Sequence, residues 1–191
     1  MSAPNVVSPL QAEADTRRWL ERAVIGLNLC PFAKAVHVRG QIHYSVYQPD
    51  SDSELIDVLL VEAEALCAMT AAERDTTLLI APNTLADFLD FNDFTARAER
   101  RLAREGYGGE FQLASFHPQF QFAGTAADDI TNSTNRAPYP TLHLLREDSV
   151  SRAVEAFPDA EAIFGRNIET LETLGAEGWR ALDVGPGAAA R

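Results

Sequence analysis

Cys30 and His117 belong to the residue types that carry nucleophilic and proton-transfer chemistry, and their settings suggest a catalytic role. His117 follows an apolar run and precedes Pro118, which restricts its backbone to extended conformations. Ligands of open α/β sheets bind at the carboxyl ends of strands, where a histidine can serve as the acid/base. A hydrogen-bonded structural histidine fits the same pattern equally well.

Cys30 precedes Pro31, which can begin a short helix with Lys34 one turn further on. A helix N-terminus and a nearby lysine both lower the pKa of a thiol and favour the thiolate. We therefore predict a nucleophilic or redox-active Cys30, paired with His117 if the two side chains lie within hydrogen-bond reach. The alternative is a buried cysteine at a corner between two helices.

A polar connection (residues 124–140) is longer than most loops in a compact domain, and such loops are usually functional or disordered. One side of one or two helical turns would carry two candidate catalytic carboxylates and three candidate substrate-binding side chains: Asp128, Asp129, Asn132, Asn135 and Arg136. The alternative is a capped surface loop in which the Asn and Asp side chains bond their own backbone.

Two further hypotheses concern the ligand that these residues would hold. Arg136, with Lys34 or Arg146, could orient an anionic substrate through charge-assisted hydrogen bonds. A metal site could instead combine His117 and His143 with Asp128 or Asp129, although no HExxH or CxxC spacing supports it. The alternation of His143 with leucines is also typical of a core histidine.

The overall composition restricts the partners of the chain. Its 28 acidic and 16 basic residues give a net charge of −12, which disfavours nucleic acid and anionic membranes as partners. No secretory signal pattern precedes the first helix, and no apolar run approaches the 18 residues of a membrane span. We expect a cytoplasmic protein that binds a small molecule. Neither a cofactor nor an oligomeric state is indicated.

The elements that must position these residues alternate between helical and strand patterns. Strands are predicted near residues 42–47, 76–81, 111–116 and 141–145. Helices are predicted between and after them, including a first helix over residues 9–28 and a helix that Thr84 can cap and that ends near Gly106. This order predicts a single α/β domain over residues 9–183, with a mixed or mostly parallel sheet of four to five strands flanked by helices. The last two strands could be antiparallel because no long helix connects them. Residues 1–8 and 184–191 are predicted to be flexible.

Three long motifs carry a family resemblance. They are Trp19-Leu20 with Gly26-Leu27-Asn28-Leu29-Cys30-Pro31-Phe32-Ala33, then Phe116-His117-Pro118-Gln119-Phe120-Gln121-Phe122, and finally Asp128-Asp129-Ile130 through Asn132 and Asn135-Arg136 to Pro138-Tyr139-Pro140-Thr141-Leu142-His143-Leu144-Leu145-Arg146-Glu147. Over most of its length the chain resembles the bacterial family of domain of unknown function 1415. The resemblance implies a bacterial cytosolic protein whose motifs contain the candidate site residues, and it implies no particular reaction.

Three functions follow as hypotheses. The first is an enzyme for a small anionic molecule, with His117 as the acid/base and Cys30 as a nucleophile or redox thiol. The second is a metal-dependent enzyme that uses the two-histidine set. The third is a non-catalytic ligand-binding or assembly module with Phe120 and Phe122 as exposed anchors.

Overall fold

The computed structural model describes residues 6–48, 52–157 and 162–187. Its strands are β1 (Ile42–Val46), β2 (Thr76–Ile80), β3 (Phe111–Phe116) and β4 (Thr141–Arg146). Its α-helices are α1 (Pro9–Trp19), α2 (Ala33–Val38), α3 (Asp52–Cys67), α4 (Phe88–Leu102), α5 (Glu147–Ala156) and α6 (Ala162–Ala181). No helix of the described ranges is long and apolar enough to cross a membrane.

The four strands form one mixed sheet in the order β1-β2-β4-β3. β1 and β2 are parallel, whereas β4 is antiparallel to both of its neighbours. The β3–β4 pair is antiparallel because only a short 3₁₀ helix, Ile130–Asn135, lies between the two strands, and a parallel crossover needs a longer connection. The prediction of a single-domain α/β fold with a mixed sheet is confirmed.

Each face of the sheet packs against different helices. The first face packs on α3 and α4 through a cluster that includes Leu59, Phe91 and Leu144. The second face packs on α1 and the turn that follows it, in a cluster that includes Trp19 and Leu78. Because side chains alternate along a strand, β4 directs its leucines 142 and 144 to the first face and His143 to the second.

A buried ion pair ties the C-terminal segment to α1. Arg18 lies 2.5 Å from the carboxylate of Asp15, which also accepts hydrogen bonds from Tyr139 (2.7 Å) and the backbone N–H of Gly187 (2.9 Å). Burial acts to raise the pKa of Asp15, but these bonds outweigh it and the pKa is lowered. Residues 184–187 of the predicted flexible tail are thus anchored, and residues 188–191 lie outside the described ranges.

Two helix boundaries differ from the sequence-based predictions. The helix predicted over residues 9–28 is α-helical only to Trp19 and continues as a wider π-helical turn, Leu20–Ile25. The helix expected to begin after Thr84 is capped instead by Asp87, whose carboxylate accepts two backbone N–H bonds from the first turn of α4. A carboxylate that accepts two N–H bonds there competes better as a cap than a threonine hydroxyl, and Thr84 bonds Asp52.

Candidate functional site

An apolar cavity of about 330 Å³ lies between the second face of the sheet and the helical segments that cover it. Its walls come from α1 and the turn after it, the start of α2, and α5, and they include Trp19, Leu78 and Phe116. Alanines at 33, 114 and 153 also line it, and their small side chains leave the space unfilled. Cavities of roughly 300–1,000 Å³ with a few polar groups are typical of small-molecule sites.

Seven polar side chains reach the walls of this cavity: Cys30, Asp75, Thr76, Gln112, His143, Arg146 and Ser149. Only three of them, Cys30, His143 and Arg146, were expected at a site from the sequence. The register of the sheet explains the grouping, because Leu145 of β4 pairs with Thr76 of β2 and with Gln112 of β3. Paired residues of neighbouring strands lie on the same face.

His143 is held from one side by the sheet. Its Nε2 lies 2.6 Å from the hydroxyl of Thr76, and that hydroxyl also contacts the backbone carbonyl of Leu144. A carbonyl can only accept, so Thr76 donates to Leu144 and Nε2–H of His143 donates to Thr76. The neutral ring therefore carries its proton on Nε2 and leaves Nδ1 as a free acceptor.

His143 lines the cavity, and we infer that its Nδ1 is open to it. Among the described residues, Nδ1 has no hydrogen-bond partner. It is also not fully buried, since Tyr44 Oη is the only fully buried side-chain N or O atom of the described residues that lacks a partner. An atom that has no partner and is not fully buried contacts open space. The open space beside His143 is the cavity. Burial lowers the pKa of His143 to about 4, so the ring is neutral at physiological pH.

Cys30 lies in the turn between the π-helical segment and α2, and it lines the same cavity. Asn167 of α6 anchors this turn by donating to the carbonyl of Leu29 (2.9 Å). Burial raises the pKa of the Cys30 thiol, while bonds from the backbone N–H groups of Phe32 and Ala33 act in the opposite direction without reversing it. The predicted lowering of this pKa is therefore not found. Burial dominates, and Lys34 is exposed to solvent.

His117 does not line the cavity that Cys30 lines. Its side chain is 0% exposed and stacks on Phe91 of the first-face cluster, with ring centroids 5.1 Å apart. Nε2–H donates to the carbonyl of Leu85 (3.0 Å), and Nδ1 accepts from the backbone N–H of Gln119 (3.0 Å). Burial lowers the pKa of His117. With both ring nitrogens bonded, this histidine is arranged as a structural one.

The polar connection is bonded mainly to itself. Asn132 is 0% exposed, accepts from Phe122 and Thr125, and donates to the carbonyl of Ala126. Asn135 donates to the carbonyl of Ser115, and Arg136 donates to the carbonyls of residues 120 and 127. These bonds match the capped-loop alternative, in which polar side chains satisfy their own backbone.

The two aspartates of the connection also stay outside the cavity. Asp129 accepts from the backbone N–H and the hydroxyl of Thr131, which makes it the cap of the 3₁₀ helix, and these bonds lower its pKa. Asp128 is exposed to solvent. The connection therefore gives neither carboxylate a partner at the cavity.

The cationic residues predicted to bind an anion are arranged differently from the expectation. Lys34 is exposed and lies outside the cavity. Arg146 reaches the cavity wall, but its guanidinium donates to the backbone carbonyls of Leu66, Met69 and Arg74. Leu66 belongs to the last turn of α3, and Met69 and Arg74 follow its end, so Arg146 caps that helix and holds the α3–β2 connection.

The residues proposed for a metal site are not brought together. His117 packs on the first face and His143 lies on the second, while Asp128 and Asp129 belong to the polar connection. In the part of the chain that the structure describes, no group of three His, Cys, Asp or Glu side chains is close enough to hold a metal ion. The fold therefore does not assemble the two-histidine, one-carboxylate set.

Comparisons with known proteins identify a family and no characterised relative. A sequence model of the family described as "Protein of unknown function (DUF1415)" matches residues 11–181, which include every strand of the sheet and both Cys30 and His143. No curated protein and no solved structure matched the chain. The geometry of the cavity is thus what must carry a functional argument.

Proposed function

The chain belongs to the DUF1415 family of proteins of unknown function, and we propose that it is a thiol-dependent enzyme for a small, largely apolar molecule. One observation carries this proposal: Cys30 and His143 line the same cavity. The two residues come from distant parts of the chain, and each presents a reactive atom that is neutral at rest. Convergence of a thiol and a basic nitrogen on one cavity is the arrangement that nucleophilic catalysis requires.

The walls of the cavity restrict the ligand. A volume of about 330 Å³ accommodates on the order of ten non-hydrogen atoms, since a water occupies roughly 30 Å³ and a dry cavity of about 150 Å³ accepts benzene. Apolar side chains form most of the wall, and the guanidinium of Arg146 is committed to backbone carbonyls. A mostly apolar body is therefore favoured inside the cavity over a charged one.

The proposed step is addition of the Cys30 thiol to an electrophilic carbon of the bound molecule. Where that carbon is an acyl carbonyl, a bond forms between Sγ and the carbon as the C=O π bond breaks and its electron pair moves to the oxygen. The S–H bond breaks, and the proton passes to Nδ1 of His143. Thr76 then accepts from Nε2–H of the imidazolium. Burial penalises both the thiolate and the imidazolium, so bond formation and proton transfer should occur together. The C=O bond then re-forms, the bond from the carbon to the leaving group breaks, and the imidazolium returns its proton to the leaving group. Hydrolysis of the resulting thioester by water regenerates the Cys30 thiol.

A second candidate function is non-catalytic binding of the same class of molecule. The observation that favours it is that neither the thiol nor the imidazole is ionised at neutral pH, because burial raises the pKa of Cys30 and lowers that of His143. A carrier or sensor needs the apolar cavity and no activated thiolate. The two candidates differ in whether Cys30 reacts.

The reactivity of Cys30 can be measured against an internal reference, because Cys67 is exposed and free. Phenyl acetate has ten non-hydrogen atoms, and acetyl transfer to either cysteine is resolved by peptide mass spectrometry. We expect Cys30 to be acetylated at least ten times faster than Cys67, with phenol released. Acetylation of Cys67 at an equal or higher rate would contradict the enzymatic proposal.

Two variants separate binding from reaction. Ala114→Leu places a larger side chain on the cavity wall and should abolish the preference for Cys30, whereas Ala127→Leu on the exposed polar connection should preserve it. Acetophenone, an unreactive molecule of similar size, should protect Cys30 in the unmodified protein. Binding of acetophenone without acetylation of Cys30 would favour the non-catalytic alternative, and the absence of any binding would contradict both.

A further inference from the structure

The cavity adjoins a cleft between α2 and α5, with a volume of about 550 Å³. Cavity and cleft share five wall residues: Phe32, Val36, Asp75, Ser149 and Ala153. Side chains that line both spaces form the neck between them. We call this space the entrance cleft, because it adjoins the cavity and we expect a ligand to arrive through it.

Two arginines line the entrance cleft from its two sides. Arg39 follows the last residue of α2, and Arg152 lies in the second half of α5. Arg39 donates to the carbonyl of Ala35 (3.0 Å) and Arg152 donates to the hydroxyl of Ser149 (2.9 Å). Neither forms an ion pair with a carboxylate of the described residues.

Each guanidinium therefore keeps most of its five N–H donors free for a ligand. In a chain with a net charge of −12, two such cations at one cleft produce a local region of positive potential. A planar guanidinium matches the geometry of a carboxylate or phosphate group.

A carboxylate at the neck favours one orientation of a bound ligand. Asp75 lines both spaces and accepts a hydrogen bond of 2.6 Å from Ser149. Moving inwards, a ligand meets the two arginines, then Asp75, and then the apolar walls beyond it. An anionic group is attracted by the arginines in the cleft and repelled by Asp75 at the neck. An apolar group is stabilised only beyond the neck, where the apolar walls remove it from water.

We infer that the ligand is an amphipathic anion, whose apolar body fills the cavity and whose single anionic group stays in the entrance cleft between Arg39 and Arg152. This inference rests on the proposed function of the cavity and adds the class of its substrate. An apolar body of this size corresponds to a medium-length alkyl or an aryl-alkyl chain. Cys30 lines the cavity close in sequence to the neck residue Phe32, so an apolar body that enters from the neck would lie near Cys30.

The test compares two probes that share a body and differ in charge. Octanoate and octanol are titrated by calorimetry into the full chain and into Arg39→Gln, Arg152→Gln and Asp75→Asn. Arg100→Gln on α4 is the matched control, because it removes one exposed positive charge outside the cleft. Each cleft arginine variant should weaken the binding of octanoate about three- to tenfold and leave the affinity for octanol unchanged, as expected for exposed charge-assisted contacts.

The Asp75→Asn variant gives an effect of opposite sign. Removing the negative charge at the neck should strengthen octanoate binding about threefold, again with little change for octanol. Equal responses of octanoate and octanol to the arginine variants would overturn the inference and leave the proposed function standing. Failure of both probes to bind at millimolar concentration would contradict the proposed function together with the inference.

Discussion

The two histidines near β4 differ in what their ring nitrogens contact. Both nitrogens of His117 are bonded to backbone groups, and its ring stacks on Phe91 in the first-face cluster. His143 is bonded through Nε2 alone and leaves Nδ1 open to a cavity that Cys30 also lines. A polar group whose bonds are all made within the protein is structural, whereas one left open to a cavity can act on a ligand.

The largest expected effect is on the reaction of Cys30. His143→Gln should slow acetylation of Cys30 by phenyl acetate at least about 100-fold, because it removes the proton acceptor of the proposed step. His117→Gln should change the rate less than about threefold in protein that remains folded. Both rates are measured as acetylation of the Cys30 peptide by mass spectrometry, because phenol release also includes the reaction of Cys67, and circular dichroism is the check on folding. Equal losses in the two variants would contradict the distinction between the histidines.

The next effect is on stability, where replacement of His117 should have the larger effect and replacement of His143 the smaller. His117→Ala should lower the free energy of unfolding by about 3 kcal/mol, since it removes a fully buried ring and leaves the buried carbonyl of Leu85 and the partly buried N–H of Gln119 without their partner. His143→Ala should cost about 1 kcal/mol, because one side of that ring already faces the cavity. Urea denaturation measures both values. A larger loss for His143 would show that the cavity is part of the packed core.

The pH dependence of stability tests the burial of His143. Its pKa in the native state is about 4, against 6.5 for an ordinary histidine, so below pH 6.5 the unfolded chain binds a proton that the native state does not. Stability should therefore fall as the pH is lowered from 6.5 to 4, and this histidine should contribute about 3 kcal/mol of that fall. The contribution is measured as the difference between the unmodified chain and His143→Gln, and parallel curves would contradict it.

The smallest of these effects concerns the polar connection. Asn132→Ala should cost about 2 kcal/mol of stability, because the side chain makes three hydrogen bonds inside the connection. Asn92→Ala on the exposed side of α4 is the control and should change stability by less than about 0.5 kcal/mol. The relative acetylation rates of Cys30 and Cys67 should remain unchanged in Asn132→Ala. A selective loss for Cys30 would place the connection in the site.

The fold was largely predictable because its signals are local. Alternating and apolar runs marked each of the four strands, and the missing helix between β3 and β4 predicted their antiparallel pairing. Boundaries were less predictable where tertiary contacts decide them. The wide turn after Trp19 and the cap at Asp87 depend on packing and on competition between neighbouring polar residues.

The candidate site was predictable only in part, for a physical reason. Cys30 and His143 are chemically distinctive and could be selected by type, but Thr76 and Ser149 are ordinary polar residues whose role depends on pairing across the sheet and on α5. Asn132 and Arg136 were predicted to bind a substrate because they are polar and lie in a long connection. That polarity is used within the polar connection, and spacing along a sequence does not distinguish internal hydrogen bonds from contacts to a ligand.

The most direct test of the cavity as a binding site is the set of nuclear Overhauser effects between acetophenone and the methyl groups of the protein. We predict contacts from the aromatic protons of acetophenone to Leu78, Ala114 and Val150, which line the cavity. Chemical shift changes should accompany them at Cys30 and His143. Contacts confined to methyl groups of the outer surface, such as Val38 and Val61, would contradict the account.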